Sequence, residues 1–267
     1  TLDGSSAASD VYKRQPSGLG WLPDGSLIIV SMLDRKLMKL KDGELSIHAD
    51  MSHLTPYQCN DMVIAKDGTA YVGNFGTDSV ESKIHKTCLI SVTQEGETKI
   101  CADGLLFPNG TVISPDGKEL IVGETFGGNL TSFQINESGE LSHRTIWARV
   151  MPLHFKIITS IIRFLNIPLK ESNSTPFPVP DGICLDSDNG IWVASPTTAE
   201  VIRYKKGGKI TDRIATPQPA YACMLGGKDE KELYILTAES SNPQFCKENK
   251  TGEIYKVEVD YERAGEP

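Results

Sequence analysis

The chain is short of several things, and each shortage closes a class of function. Its six cysteines (Cys59, Cys88, Cys101, Cys184, Cys223 and Cys246) are scattered through 267 residues without a Cys-x-x-Cys pair. That argues against a zinc site and against a dense disulfide scaffold, and leaves reduced, mostly buried thiols as the expectation. Positive charge is scarce: 27 Lys and Arg stand against 35 Asp and Glu, a net charge of −8. Such a surface repels phosphate backbones and anionic lipid, so nucleic acid is not an expected partner. The five histidines form no His-Glu-x-x-His, and neither Gly-x-Ser-x-Gly nor Gly-x-Gly-x-x-Gly occurs. The metalloprotease helix, the nucleophile elbow and the dinucleotide fingerprint are therefore missing. What is present is ordinary: 39% hydrophobic and 23% charged residues, with 24 Gly and 15 Pro. This composition excludes disorder, collagen and a bare coiled coil, and the length allows a sizeable core without disulfide staples.

Residues 1–15 are set apart. Ser9-Asp10-Val11-Tyr12-Lys13-Arg14-Gln15 is what one reading frame of a sequencing adapter encodes, so 1–15 is read as a non-native segment and 16–267 as a single domain. Excluding it hides any natural leader; a cytoplasmic location is the working expectation.

From Pro16 onward one pattern recurs five times: Ser17-Gly18-Leu19, Asn60-Asp61-Met62, Asn109-Gly110-Thr111, Asp181-Gly182-Ile183 and Ala222-Cys223-Met224. An Asp follows seven residues after each first position (Asp24, Asp67, Asp116, Asp188, Asp229), and an apolar run follows the Asp. Strand, Gly turn and second strand make a hairpin. The copies are 43, 49, 72 and 41 residues apart, and three of these spacings lie near the pitch of a four-stranded propeller blade. The first copy predicts strands over 18–22, 26–31, 36–41 and 44–49. An all-β, six-bladed β-propeller follows, with about five blades represented here. The last copy offers only three strands, and a propeller closes by pairing its last blade with the far end of the chain, so a first blade of about 45 residues is expected to be missing.

The long spacing places an insertion at about 148–179. Within it Phe155, Ile158, Ile161, Ile162 and Leu165 share one helical face, interrupted by Lys156 and Arg163. An amphipathic helix is predicted, too short and too charged to span a bilayer. It can pack on the propeller, cover the site as a lid, or rest on a membrane surface through 151–167.

Asn60, Asn109 and Asp181 open the inner strands of three consecutive blades, which converges them on one end of the channel. Carboxylate and amide oxygens without thiolate or imidazole suit one hard divalent cation, Ca²⁺ first, with Mg²⁺, Mn²⁺ or Zn²⁺ as alternatives. Gln58-Cys59-Asn60-Asp61, Phe107-Pro108-Asn109-Gly110 and Val179-Pro180-Asp181-Gly182, each ahead of an Asp hairpin, resemble the senescence marker protein, regucalcin and gluconolactonase family. The resemblance implies a six-bladed propeller with one divalent cation, a hydrolase that opens sugar lactones or related cyclic esters, Asn109 and Asp181 as direct ligands, Asn60 as a direct or water-mediated one, and Asp181 as general base. Two features depart from the family: its Glu-Gly-Pro ligand motif is absent, and Gln58 stands where regucalcin has Arg. Gln58, Asn74, Phe75, Glu124 and Phe126 are the candidates for touching a small lactone at the mouth. A non-enzymatic propeller that binds a ligand or protein, and a metal-independent propeller resembling strictosidine synthase, are the rivals.

Overall fold

The computed structural model describes residues 15–77, 83–152 and 177–265. Five antiparallel meanders follow one another along the chain. Blade 1 is β1 (Pro16–Trp21), β2 (Leu27–Ser31), β3 (Lys36–Lys41) and β4 (Glu44–Asp50). Blade 2 is β5 (Cys59–Ile64), β6 (Ala70–Asn74), β7 (Thr87–Val92) and β8 (Thr98–Leu105), and blade 3 is β9 (Pro108–Ile113), β10 (Glu119–Glu124), β11 (Asn129–Ile135) and β12 (Leu141–Arg149). Blade 4 is β13 (Ile183–Leu185), β14 (Gly190–Ser195), β15 (Glu200–Lys205) and β16 (Ile210–Ala215). Blade 5 has three strands among the described residues, β17 (Ala220–Gly226), β18 (Glu232–Thr237) and β19 (Glu253–Glu258). Between the last two lies one short helix, α1 (Pro243–Glu248), which the repeat did not foretell. Asn242 caps it by accepting from the Gln244 and Phe245 amides.

Period-two alternation builds the core, because each strand sends successive side chains to opposite neighbours. In β5, Met62 and Ile64 pack toward blade 1 with Ile28, Val30 and Leu37, whereas Val63 packs toward blade 3 with Ile113, Leu120 and Val122. Val112, Ile121 and Leu130 then meet Ile183, Ile191 and Val193 of blade 4, and Cys184, Trp192 and Ala194 meet Cys223, Leu225 and Leu233 of blade 5. Four clusters thus join five blades in series, and the inner strands β1, β5, β9, β13 and β17 pack in that order. A fifth, small cluster around Ile29 and Met38 involves blade 1 alone. The two end blades carry exposed apolar residues: Leu19 and Trp21 on β1, Leu236 on β18, Ile254 on β19.

The five-blade propeller arrangement is all-β with almost no helix, as the repeat implies; a sixth sheet is not among the described residues. The predicted helix falls within 153–176, outside them. Among them, no helix is long and apolar enough to cross a membrane. All six cysteines are free thiols: Cys59, Cys88, Cys184 and Cys223 are buried, Cys101 is partly so, and Cys246 is exposed. Burial pushes the Cys59 and Cys101 thiols up to about 12.

The repeated Asp caps the hairpin turn in the first three blades, where Asp24, Asp67 and Asp116 accept from the amides of Ser26, Thr69 and Lys118. Blade 4 differs. There Asp186, two residues earlier than the repeat places it, accepts from the Asp188 and Gly190 amides and pairs with the buried Arg203 (Nε to Oδ2, 2.6 Å), while Asp188 is drawn off to Lys205. Arg203 also lies 3.5 Å from the ring centre of Tyr261, which anchors the C-terminal segment against this blade.

Candidate functional site

One backbone irregularity, repeated blade by blade, builds the site. In β5 the register jumps from Cys59↔Asn74 to Met62↔Val72, so Asn60 and Asp61 together face Gly73. In β9 it jumps from Pro108↔Glu124 to Thr111↔Val122, so Asn109 and Gly110 face Gly123. Ahead of β13, the Asp181 amide donates to Ala194 O and the Ala194 amide to Gly182 O, both at 3.0 Å. Each is a β-bulge: one extra residue on the inner strand, which re-aims the side chain beside it. The bulged residues are those that recur in the sequence pattern.

Small residues around the bulges are a steric requirement. A Cβ on Gly110 would lie 2.4 Å from Asp181 O, and one on Gly73 2.4 Å from Pro108 O. The Gly110 amide donates to Asp181 O at 3.2 Å, joining adjacent bulges directly. Pro-Asn-Gly and Pro-Asp-Gly are thus read physically: Pro abuts the Gly of the preceding blade, the polar residue is re-aimed, and the last Gly lets the next inner strand approach.

Asn109 is buried (3% exposed); its Nδ2 donates to Thr125 Oγ1 at 3.0 Å, and Thr125 Oγ1 donates to Pro180 O at 2.8 Å. This chain fixes the amide's orientation and leaves Asn109 Oδ1 buried without a hydrogen-bond partner among the described residues. Asn60 is also buried, and Ser17 Oγ reaches both Asn60 Oδ1 and Asp61 Oδ1 at 3.3 Å. Burial first, and then the charge of Asp61, push the Asp181 carboxyl up to about 8, against the pull of the Asn109 side chain and the Gly182 amide. Burial likewise raises Asp61, with Ser17 opposing it. Two half-buried carboxylates therefore influence each other beside an amide oxygen that lacks a donor among the described residues. This is an oxygen-only donor set of the kind a hard cation satisfies.

The sequence pattern singled out Asn60, Asn109 and Asp181 and passed over Asp61, Ser17 and Thr125. The signal for Asp61 was available: blades 1, 3 and 4 carry Gly18, Gly110 and Gly182 at that slot, and only blade 2 places a carboxylate there among these four.

At the rim the expected contacts divide. Gln58, Phe75 and Phe126 are half-buried, and Gln58 O accepts from the Phe75 amide at 3.0 Å. Phe107, another residue missed by the pattern, lies between the two rings, its centroid 4.5 Å from that of Phe75 and 5.1 Å from that of Phe126. Asn74 and Glu124 are not brought to the mouth, because their polar atoms are committed inside their own blades. Asn74 is fully buried, donating to Cys88 O at 2.9 Å and accepting from Thr55 and Thr87. The Glu124 carboxylate accepts from the Leu106 amide at 2.8 Å, from Thr131 and from Arg144 Nη2 at 3.1 Å.

The sequence model of the SMP-30/Gluconolactonase/LRE-like region matches residues 2–239. The chain is 23% identical to the regucalcin of Xenopus laevis over 286 residues, covering 93% of this chain and 92% of that protein. Identity to the regucalcin of Sus scrofa is 32%, over 83 residues that make up 30% of this chain and only 28% of that protein. With pentonolactonase XacC of Haloferax volcanii it is 24% over 218 residues, 80% of this chain and 64% of that protein. Among solved structures, the calcium-binding regucalcin of Agrobacterium tumefaciens superimposes with a TM-score of 0.64 at 17% identity, over 95% of this chain and 93% of that one; at that identity the likeness is one of fold.

Proposed function

The chain belongs to the SMP-30/gluconolactonase/LRE-like family, and on that premise we propose that it is a divalent-cation-dependent hydrolase of a lactone or related cyclic ester. The observation that carries this reading is the orphaned, buried Asn109 Oδ1 beside the Asp61–Asp181 pair. Asn109 and Asp181 would hold the cation directly, with Asn60 and Asp61 completing an oxygen shell, and Ca²⁺ is the ion that best suits such donors. When bound, a divalent cation supplies Lewis acidity to the lactone carbonyl and to the oxyanion that develops on it.

The chain's own residues do the rest. Asp181 accepts the proton of the attacking water, and two influences set its basicity: a cation lowers its pKa, while burial and Asp61 raise it. The two act in opposite directions, so burial and Asp61 offset the loss of basicity that a cation brings. Thr125 and Pro180 fix the Asn109 amide through its Nδ2, so its oxygen is held in one orientation before any ligand arrives.

The same reading includes a sixth sheet between the end blades. The exposed Leu19 and Trp21 on one side and Leu236 and Ile254 on the other support it, because a further blade would cover both faces.

The test is a lactone panel on metal-stripped protein, with Ca²⁺, Mg²⁺, Mn²⁺ or Zn²⁺ restored singly. Hydrolysis that appears with a cation and vanishes in Asp181→Asn is the expected result. Turnover that persists under a strong chelator, or in that variant, overturns the proposal.

A further inference from the structure

We infer that the substrate carries an apolar group on its ring, and that Phe75, Phe107 and Phe126 form the wall that receives it. This rests on the cyclic-ester reading above and names its substrate class. The three rings come from separate places in the chain, the loops after β6 and β10 and the residue before β9, yet they stack in edge-tilted contact with interplanar angles of 50° and 54°. All three are half-buried, so the wall keeps an accessible surface. It adjoins the donor set through backbone bonds. The Phe75 amide donates to Gln58 O, two residues before Asn60, and Phe107 O accepts at 3.0 Å from the amide of Thr125, the residue that orients Asn109.

Two further observations favour an apolar ligand over a polyhydroxylated one. Of the polar residues beside the rings, Asn74 and Glu124 are committed within their blades and offer no hydrogen bonds to sugar hydroxyls, which leaves half-buried Gln58 as a single amide against three rings. Phe107 itself sits at φ 57°, a left-handed conformation that is costly for a bulky side chain. Strain of this kind persists where the fold has a use for the side chain's position, and here it brings the ring between its two partners.

The experiment compares δ-decalactone with D-glucono-δ-lactone, which share the six-membered lactone ring and differ in bearing an alkyl chain or hydroxyls. It uses wild type, Phe107→Asn, Phe75→Ser and Phe75→Leu, with folding checked by thermal melts. Asn is at ease at positive φ, so Phe107→Asn removes the ring without straining the backbone. Wild type is expected to prefer δ-decalactone by about tenfold or more in kcat/KM. That ratio should fall about tenfold in Phe107→Asn and Phe75→Ser, mainly through KM, and hold within about threefold in Phe75→Leu. A preference for the sugar lactone, or a ratio unmoved in whichever ring-deletion variants fold, overturns the inference. If neither lactone is opened, the hydrolase reading fails by itself, and calorimetry with the lactam analogue of δ-decalactone decides the question. Binding that weakens about tenfold in Phe107→Asn upholds the apolar wall; equal binding, or none to wild type, overturns it.

Discussion

The inner strands of blades 1 and 3 have the same bulge and the same Gly at its second position, yet they lie in different surroundings. β9 is buried along its entire length because blades 2 and 4 cover its two faces. Among the described residues β1 is covered by blade 2 alone, and Leu19 and Trp21 remain 50% and 56% exposed. The bulge is a property of local pairing, whereas the chemistry of the residue it presents depends on the flanks. Asn109, flanked on both sides, becomes an oriented amide with an orphaned oxygen, and Ser17, flanked on one side, becomes a hydroxyl that serves its neighbours Asn60 and Asp61. The same slot thus gives different environments: residue type and the number of adjoining blades together set how far its polar atoms are buried.

The sharpest way to break this comparison is Asp181→Asn. Lactone hydrolysis should fall by about 10² to 10⁴-fold, the range of a lost general base. The same variant tests the desolvation argument without activity. In metal-free wild type, a carboxyl raised to about 8 favours the fold only when protonated, so its effect on stability is most favourable below the unfolded carboxylate pKa and is lost as pH rises toward 8. Melting temperature in chelator should therefore drop between pH 5 and pH 8, and drop less in Asp181→Asn. Parallel slopes would show that Asp181 is not desolvated. The turn carboxylates Asp50 and Asp116, whose pKa values are lowered, act in the opposite sense and below this window.

Next in size is Arg203→Ala in blade 4. Removing this guanidinium strands the fully buried Asp186 and should cost about 3–5 kcal/mol by denaturant unfolding. Arg263→Ala, at a partly exposed pair with Glu230, should change stability by less than about 1 kcal/mol.

Gly110→Ala drives a Cβ to 2.4 Å from Asp181 O and 2.5 Å from Ile183 N, so a cost of about 1–3 kcal/mol and weaker cation binding are expected together. Gly252→Ala, whose new Cβ would meet nothing nearer than Thr237 O at 4.0 Å, should leave cation binding alone.

The smallest effect is the most informative about the flanks. Where no sixth sheet covers them, as in the five described blades, Trp21→Ser and Ile254→Ser should each shift stability by about 0.5 kcal/mol or less, whereas Ile121→Ala between blades 3 and 4 should cost about 2–5 kcal/mol. A core-sized loss at Trp21 would mean that the outer face of blade 1 is covered.

The meander was legible in the sequence because alternating side chains and Gly turns are local signals: the strands expected over 36–41 and 44–49 are β3 and β4 to within a residue. The three-stranded last blade was legible for the same reason. The site was legible only in outline. Its in-phase Asn and Asp residues could be counted, but the bulge that re-aims them depends on inter-strand register, which no spacing reveals. Asn74 and Glu124 illustrate the limit from the other side. Position in the repeat puts both near the mouth, and only the hydrogen bonds supplied by Cys88, Leu106 and Arg144 show that they are turned inward. Phe107 was hidden differently, since nothing in Leu-Phe-Pro-Asn announces a left-handed residue.

The central claim is that Asn109, Asp181 and their neighbours form one cation site, and calorimetric titration of Ca²⁺ into metal-stripped protein tests it most directly. The account predicts one ion per chain at pH 8, weaker binding at pH 6 as Asp181 takes up a proton, and about tenfold or greater loss of affinity in Asn109→Ala. Absence of binding, or an Asn109→Ala variant that holds the ion as tightly as wild type, would contradict it.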